Sequence, residues 1–258
     1  MIVSPAVIQE GILVRAETRH QLKEDRFSRA TIEAAERTVH WTVEHQSKLI
    51  AGAIIVLLAL AVGLGGWYYL NRQDEAASAD LSKATRTLQL PVRPAGMPAQ
   101  PGYPSYASAG ERATDARKQF QAIVDKYPHT RTATMARYFV GLTAAQLGDN
   151  AAAEGALQET ANSSNKELAA LGKFALASLY ASEKKGQQAS DLYKQLMDKP
   201  TITVSKTMAQ LELASLYVSQ QKPDLAKQIY EQIQKENPAS EVASIAQQRA
   251  SQLKGGSQ

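Results

Sequence analysis

Residues 207–238 read TMAQLELASLYVSQQKPDLAKQIYEQIQKENP, and this stretch decides the fold. It contains two segments typical of helices, separated by a Gln-Lys-Pro-Asp turn at residues 221–224. In the second segment Tyr230 follows Ala226 by four residues, so both lie on one helical face, and Pro238 closes the unit. The stretch therefore predicts a hairpin of two α-helices.

The same pattern occurs four times along the chain. In each copy an alanine is followed four residues later by a large side chain, and successive alanines are 37, 36 and 37 residues apart. The four sets are Ala116, Phe120 and Pro128; Ala153 and Leu157; Ala189, Tyr193 and Pro200; and Ala226, Tyr230 and Pro238. A second small residue lies twelve residues before the last three alanines, at Gly141, Ala177 and Ala214. Such a period is typical of helical-repeat proteins.

Small residues suit these places because they lie where two helix axes cross, and a larger side chain would force the axes apart. A hairpin alone leaves an apolar face exposed, so at least about three must stack to bury a continuous core. The alanine-rich composition, with only 6% aromatic residues, also favours closely packed helices. We therefore predict an all-α fold with an α-solenoid of helical hairpins. The full prediction also includes a single transmembrane helix, which precedes the solenoid.

The spacing of these residues resembles the tetratricopeptide-repeat family. That family places a small residue in the first helix, glycine in the turn, alanine and an aromatic residue one turn apart in the second helix, and a closing proline. Asn165 stands where the first proline is expected, and Pro200 comes one position early. The opening tryptophan is absent and the period exceeds the family's usual length of about 34 residues, although the fold that the resemblance implies is unchanged.

In that family the first helix of each hairpin lines a concave groove that binds other proteins, so the resemblance implies such a groove here. By register its residues are Met135, Tyr138, Leu142 and Gln146; Leu171, Phe174, Ser178 and Ser182; and Met208, Leu211, Ser215 and Ser219. One end is apolar, and exposed methionine and aromatic side chains adapt to varied apolar partners. The alternative is that a neighbouring helix, such as the C-terminal cap, covers them. Tyr138 and Leu142 stand where a clamp for a terminal carboxylate would need polar groups, so that kind of binding is not expected.

A second decisive stretch, Leu49 to Leu70, reads LIAGAIIVLLALAVGLGGWYYL and contains no charged residue. Its 22 residues match the roughly 30 Å hydrocarbon core of a bilayer. Trp67, Tyr68 and Tyr69 end the stretch, where an aromatic belt prefers the headgroup region. We predict a transmembrane helix. A cleaved signal peptide is not expected, because 48 residues precede the stretch and the apolar run is too long.

The distribution of basic residues predicts the orientation of this helix. Residues 1–48 contain seven Lys or Arg residues, whereas residues 71–110 contain four. The positive-inside tendency therefore favours a cytoplasmic N-terminus. The expected location is a bacterial inner membrane, with a single pass and with the C-terminal domain in the periplasm.

We expect five regions along the chain. Residues 1–48 form a partly helical cytoplasmic arm, and residues 49–70 form the span. Residues 71–110 hold the first repeat helix, at Leu81 to Leu90, and a Pro-rich loop. Residues 111–253 form the repeat solenoid with its capping helix, and residues 254–258 form a disordered tail.

Composition excludes several function classes. The chain contains no cysteine, which rules out disulfides, zinc–thiolate sites and cysteine nucleophiles. The net charge of +4 is spread along the chain, so nucleic-acid binding is not expected. No metal or cofactor motif is present, and the Ser-x-x-Lys spacings at Ser163 and Ser182 lack their accompanying motifs. We therefore predict that the protein is not an enzyme and has no cofactor.

A short arm, one span and a repeat solenoid together resemble the YfgM-type family of ancillary Sec-translocon subunits. That resemblance implies protein partners, namely translocon subunits, periplasmic chaperones or exported chains, and contact with lipid through the span. The alternative is an envelope or cell-division scaffold resembling the Tol-Pal-associated repeat protein, although that family normally has a cleaved signal and an N-terminal coiled coil. The sequence does not predict the oligomeric state.

Overall fold

The computed structural model describes residues 46–255, and the described part of the chain is helical with no β-strand. The predicted arm, apart from residues 46–48, and the tail from residue 256 onward lie outside the described residues. The helices are α1 (Gln46–Gln89), α2 (Ala109–Lys126), α3 (Arg131–Gln146), α4 (Asn150–Ala161), α5 (Lys166–Ser182), α6 (Gly186–Asp198), α7 (Lys206–Ser219), α8 (Pro223–Glu236) and α9 (Glu241–Gly255).

The chain divides into two units between Trp67 and Tyr68. In the first unit, the apolar side chains of α1 from Ile50 onward are exposed, and Val62 for example is 75% exposed. An uncovered apolar helix of this length is long and apolar enough to cross a membrane. Helix α1 continues without a break to Gln89, so it includes most of Leu81 to Leu90, where the sequence placed the first repeat helix.

The second unit is built from antiparallel helical hairpins in which each helix packs against the next along the chain, from α2 through α9. The alanines of the repeat pattern, Ala116, Ala153, Ala189 and Ala226, are all fully buried. Their large partners Phe120, Leu157, Tyr193 and Tyr230 are at most 2% exposed. The prediction of a helical-repeat solenoid is therefore confirmed, because the repeated residues form its core.

Capping side chains set where several helices begin. The side chains of five residues accept hydrogen bonds from backbone N–H groups of the first turn: Ser108, Thr130, Asp149, Asn165 and Ser205. These bonds satisfy donors that have no partner inside the helix. Helix α8 begins instead with Pro223, whose missing N–H costs nothing in the first turn.

The turns inside the three complete hairpins share one backbone conformation. Gly148, Lys184 and Gln221 have φ values of +76°, +62° and +58°. The positions are 36 and 37 residues apart, so the left-handed turn repeats in phase with the buried alanines. Of these three residues, only the glycine adopts a left-handed backbone conformation without strain.

The part of α1 that follows the apolar stretch forms the first hairpin with α2. Ala77 and Ala84 are at most 1% exposed and belong to one apolar cluster with Phe120. Asp74 Oδ1 accepts a hydrogen bond of 2.9 Å from the backbone N–H of Thr132, at the start of α3. Helix α1 therefore covers the N-terminal end of the solenoid core.

The Pro-rich segment connects α1 to α2 and is closed at its base by backbone hydrogen bonds. Tyr106 N–H donates to Pro91 O at 3.0 Å, and Arg93 N–H donates to Tyr106 O at 2.9 Å. The Tyr106 hydroxyl donates to the carboxylate of Asp115, and this bond is the main reason that the Tyr106 pKa is raised to about 12. The loop is thus tied to helix α2.

Candidate protein-binding groove

The twelve groove residues expected from the repeat register all lie in the first helices of the three complete hairpins, α3, α5 and α7. Within each helix they are spaced by three or four residues, which places them on one face. Helices α3 and α5 also approach each other directly, in addition to their contacts with α4. The hairpin stack therefore brings these faces side by side.

Five of the twelve residues line one cavity of about 320 Å³ between α3 and α5. They are Tyr138, Leu142, Phe174, Ser178 and Ser182, and the cavity is completed by Ala145, Asn150, Leu157, Ala175 and Leu179. Aromatic and aliphatic side chains line most of the wall, with a few hydroxyl and amide groups among them. A cavity of this size and character suits one or two apolar side chains of a partner.

The aromatic side chains of this cavity are held by their neighbours. Tyr138 packs edge-on against Phe139, with ring centroids 5.5 Å apart, and Phe174 packs in the same way against Tyr193 at 5.9 Å. Phe139 in turn stacks on Phe120 of the preceding hairpin at 4.9 Å. Such contacts fix the ring orientations, so the cavity wall is preorganised.

The tyrosine hydroxyls near the cavity are neutral at physiological pH. Burial raises the pKa of Tyr138, and burial also raises the pKa of Tyr193 to about 12. A neutral hydroxyl can donate a hydrogen bond but carries no charge. This end of the groove therefore offers apolar and neutral polar contacts.

Three further groove residues on α3 and α5 do not line this cavity. Met135 is half-buried and Gln146 is exposed, while half-buried Leu171 packs against the core. These side chains lie on the same helices but away from the cavity wall. The predicted groove therefore includes more residues of α3 and α5 than those that line the cavity, and the groove itself stays a prediction.

The four residues on α7 form a separate, more polar part of the groove face. Met208 is 42% exposed, and Leu211 packs partly against the core. The Ser215 hydroxyl accepts a hydrogen bond of 3.3 Å from Arg249 Nη1 of α9, while the Ser219 hydroxyl donates to Leu216 O of its own helix. The capping helix therefore reaches this part of the face through Arg249, although Met208 stays exposed.

Sequence reasoning did not identify Asn150, Leu179 or Arg249 as groove residues. Asn150 begins α4 and enters the cavity because the left-handed turn at Gly148 brings the second helix back beside the first. Leu179 is one helical turn beyond Ala175 on the cavity side of α5. Leu179 recurs as Leu216, but neither Leu179 nor Asn150 lies at one of the register positions from which the groove was predicted.

The serine of each Ser-x-x-Lys pair is hydrogen-bonded to a backbone group. Ser163 accepts a hydrogen bond from Asn165 N–H, and Ser182 donates to Leu179 O. Lys185 instead pairs with Glu183 at 2.8 Å and Glu154 at 3.2 Å, and these hydrogen bonds raise its pKa. A catalytic lysine base needs a lowered pKa, so this site has the opposite electrostatics. Among residues 46–255 no group of acidic, histidine or cysteine side chains is arranged to hold a metal ion.

Comparison with known proteins gives one match. A family model described as a tetratricopeptide repeat-like domain matches residues 39–193, which is more than half of the chain. The matched region includes the apolar stretch of α1 and the helices that form the 320 Å³ cavity. No curated protein and no solved structure matches the chain.

Proposed function

Because this chain belongs to the tetratricopeptide repeat-like domain family, whose members generally mediate protein–protein interactions, we propose that it binds other proteins at a bacterial inner membrane. In this proposal α1 crosses the membrane once, the N-terminus is cytoplasmic and the solenoid lies in the periplasm. The protein acts as an ancillary or chaperone-like factor at the Sec translocon. The twelve groove residues are its binding surface.

The cavity between α3 and α5 is the observation that carries this proposal. Its wall presents Tyr138, Leu142 and Phe174, which together offer a preformed apolar surface of the kind that unfolded or newly exported chains can occupy. The same chain carries a helix of membrane-spanning length. A preformed apolar site on a membrane-anchored chain suits a factor that receives polypeptides as they leave a translocon.

Site-specific photo-crosslinking in cells tests this proposal. A photoreactive phenylalanine derivative is placed at Phe174 in the cavity, at Val62 in the span, and at exposed Gln158 of α4 as a matched control. We expect the Phe174 probe to capture exported polypeptides or periplasmic chaperones and the Val62 probe to capture translocon helices. The Gln158 probe should give neither product.

Two results would contradict the proposal. Crosslinks from Val62 only to envelope or cell-division proteins would favour the scaffold alternative over the translocon. Equal capture of exported polypeptides from Phe174 and Gln158 would remove the cavity as the binding surface.

A further inference from the structure

The turn between α6 and α7 holds one aliphatic side chain almost fully in solvent. Thr203 N–H donates to Glu167 Oε2 at 2.9 Å, and the Thr203 hydroxyl donates to the same oxygen at 2.8 Å. Thr201 N–H donates to Val204 O at 2.9 Å, and the Val204 side chain is fully buried. Between these anchors Ile202 is 96% exposed. The turn is therefore fixed on both sides of Ile202.

A cavity of about 470 Å³ lies next to this turn, between the start of α5 and the end of α6. Its apolar wall includes buried Ala170 and Leu196, and it also contains Pro200 and Thr201 of the turn. It shares no residue with the cavity between α3 and α5. It is therefore a second concave site on the solenoid.

Three lysines, Lys166, Lys173 and Lys199, line this second cavity. The nearby carboxylate of Glu167 is engaged by the turn, through Thr203. Within the described part of the chain, no carboxylate lies within 4.0 Å of these three ammonium groups. Lys173 Nζ is 3.3 Å from Gln195 Oε1, across the cavity. The site therefore presents three positive charges around an apolar wall.

We propose that this lysine-lined cavity, together with Ile202, binds an acidic segment of a partner protein, in which carboxylates flank an aliphatic side chain. Carboxylates complement the three ammonium groups, and the aliphatic side chain fills the apolar part and contacts Ile202. A flat anionic membrane surface would meet the lysines but leave the concave apolar wall empty. This inference goes beyond the groove proposed above, because it assigns a different surface and a different partner chemistry.

Peptide binding to the full chain tests this assignment. The protein is placed in nanodiscs of neutral phosphatidylcholine, and the anisotropy of a fluorescein-labelled peptide, Glu-Glu-Leu-Leu-Glu-Glu, is measured. We expect saturable binding that weakens as salt is raised, and none with the matched peptide Lys-Lys-Leu-Leu-Lys-Lys. Charge reversal at all three positions, Lys166→Glu, Lys173→Glu and Lys199→Glu, should weaken binding by about tenfold or more.

Three controls separate this site from the rest of the molecule. Lys194→Glu reverses an exposed charge of α6 outside the cavity and should leave binding within about twofold. Phe174→Ala changes the α3–α5 cavity and should leave binding of the acidic peptide unchanged, which separates this inference from the proposed function. Ile202→Ser alters one fully exposed side chain without disturbing the fold and should weaken binding about twofold or more.

Equal binding of the acidic peptide to the triple variant and the unmodified chain would overturn the assignment. It would also be overturned if the peptide did not bind while phosphatidylglycerol vesicles bound through the same lysines. That second result would make the surface a lipid contact.

Discussion

Gly172 shows how closely neighbouring hairpins approach at the scale of single residues. A Cβ atom at this position would lie 2.5 Å from Ala161 N and 2.8 Å from Thr160 C, both in the backbone of α4. Backbone atoms cannot rotate aside as the end of a long side chain can. The contact between α4 and α5 therefore requires a residue without a side chain.

Gly172→Ala should destabilise the solenoid by about 1–3 kcal/mol, because the two helices must move apart. The matched control is Gly155→Ala in α4, where nothing lies within 4 Å of the added carbon. That control should be neutral or stabilising by up to about 1 kcal/mol, since alanine is the better helix former. Urea unfolding of the full chain in detergent, followed by far-UV ellipticity, measures both. Equal effects of the two substitutions would show that the close approach is unimportant.

Gln221 carries backbone strain that a single substitution should remove. Its φ of +58° is left-handed, a conformation that costs a non-glycine residue about 1–2 kcal/mol. Gln221→Gly should therefore raise the free energy of unfolding by up to about 1 kcal/mol, after the extra freedom of glycine in the unfolded chain is subtracted. The reverse change at the equivalent turn, Gly148→Ala, should lower it. Denaturation midpoints for both variants test this, and a lowered midpoint for Gln221→Gly would argue against strain.

At the scale of helices, the Glu154 carboxylate of α4 forms hydrogen bonds with α5 and with the turn between α5 and α6. Its carboxylate accepts hydrogen bonds from the Tyr180 hydroxyl at 2.8 Å and from Lys185 Nζ at 3.2 Å. The bond from Tyr180, followed by the bond from Lys185, lowers the pKa of Glu154 below its ordinary value of 4.5. The folded state therefore prefers the ionised carboxylate more strongly than the unfolded state does.

This link should weaken in acid. Because the folded-state pKa is lowered, its stabilisation is complete above pH 4.5 and is lost as the pH falls through the lowered pKa. Glu154→Gln should therefore destabilise the protein at pH 7, by less than about 1 kcal/mol for so exposed a pair, and its effect should become smaller as the pH falls below 4.5. Urea unfolding at several pH values measures the difference.

The control Glu231→Gln removes an exposed pair with Lys227 within α8, and its effect at pH 7 should be smaller. A pH-independent effect of Glu154→Gln would contradict the assignment.

Helix α1 is also a structural part of the solenoid, because its residues beyond the apolar stretch pack in one cluster with Phe120 and accept a hydrogen bond from the Thr132 N–H. A fragment of residues 71–258 keeps Asp74, Ala77 and Ala84 and should unfold cooperatively as a soluble helical domain. A fragment of residues 91–258 exposes the apolar side of α2 and should aggregate or lose the α2–α3 hairpin. Thermal unfolding and size-exclusion chromatography compare the two. Equal stability of both fragments would mean that α1 contributes nothing to the fold beyond the span.

At the scale of the whole molecule, the orientation across the membrane can be tested cleanly because the chain contains no cysteine. Ser4→Cys and Ser251→Cys each introduce a single thiol, the second on the exposed side of α9. With the N-terminus cytoplasmic, a membrane-impermeant maleimide added to spheroplasts should label the residue-251 variant only. Permeabilised cells, in which both variants should react, are the control. Labelling of the residue-4 variant in sealed spheroplasts would reverse the predicted topology.

The sequence alone was sufficient for the fold class, since a small residue that recurs every 36 or 37 residues can be buried only where helices cross repeatedly. It was also sufficient for the long apolar helix, because the length of the apolar stretch and its lack of charge depend on no other part of the chain. The recurrence of the small residue is a periodic signal, and the apolar stretch is a local one, so both can be read without knowing the tertiary structure. The five-region division of the chain and the twelve-residue groove remain predictions.

Only the tertiary structure showed which side chains share a cavity. Tyr138 and Phe174 meet because α3 and α5 approach directly, whereas Asn150 joins them through the turn at Gly148. Arg249 and the lysine-lined cavity lie outside the repeat pattern, and the close approach at Gly172 depends on how α4 packs against α5. A sequence period determines which face of a helix is buried, but the distance between two faces depends on the packing of every helix between them.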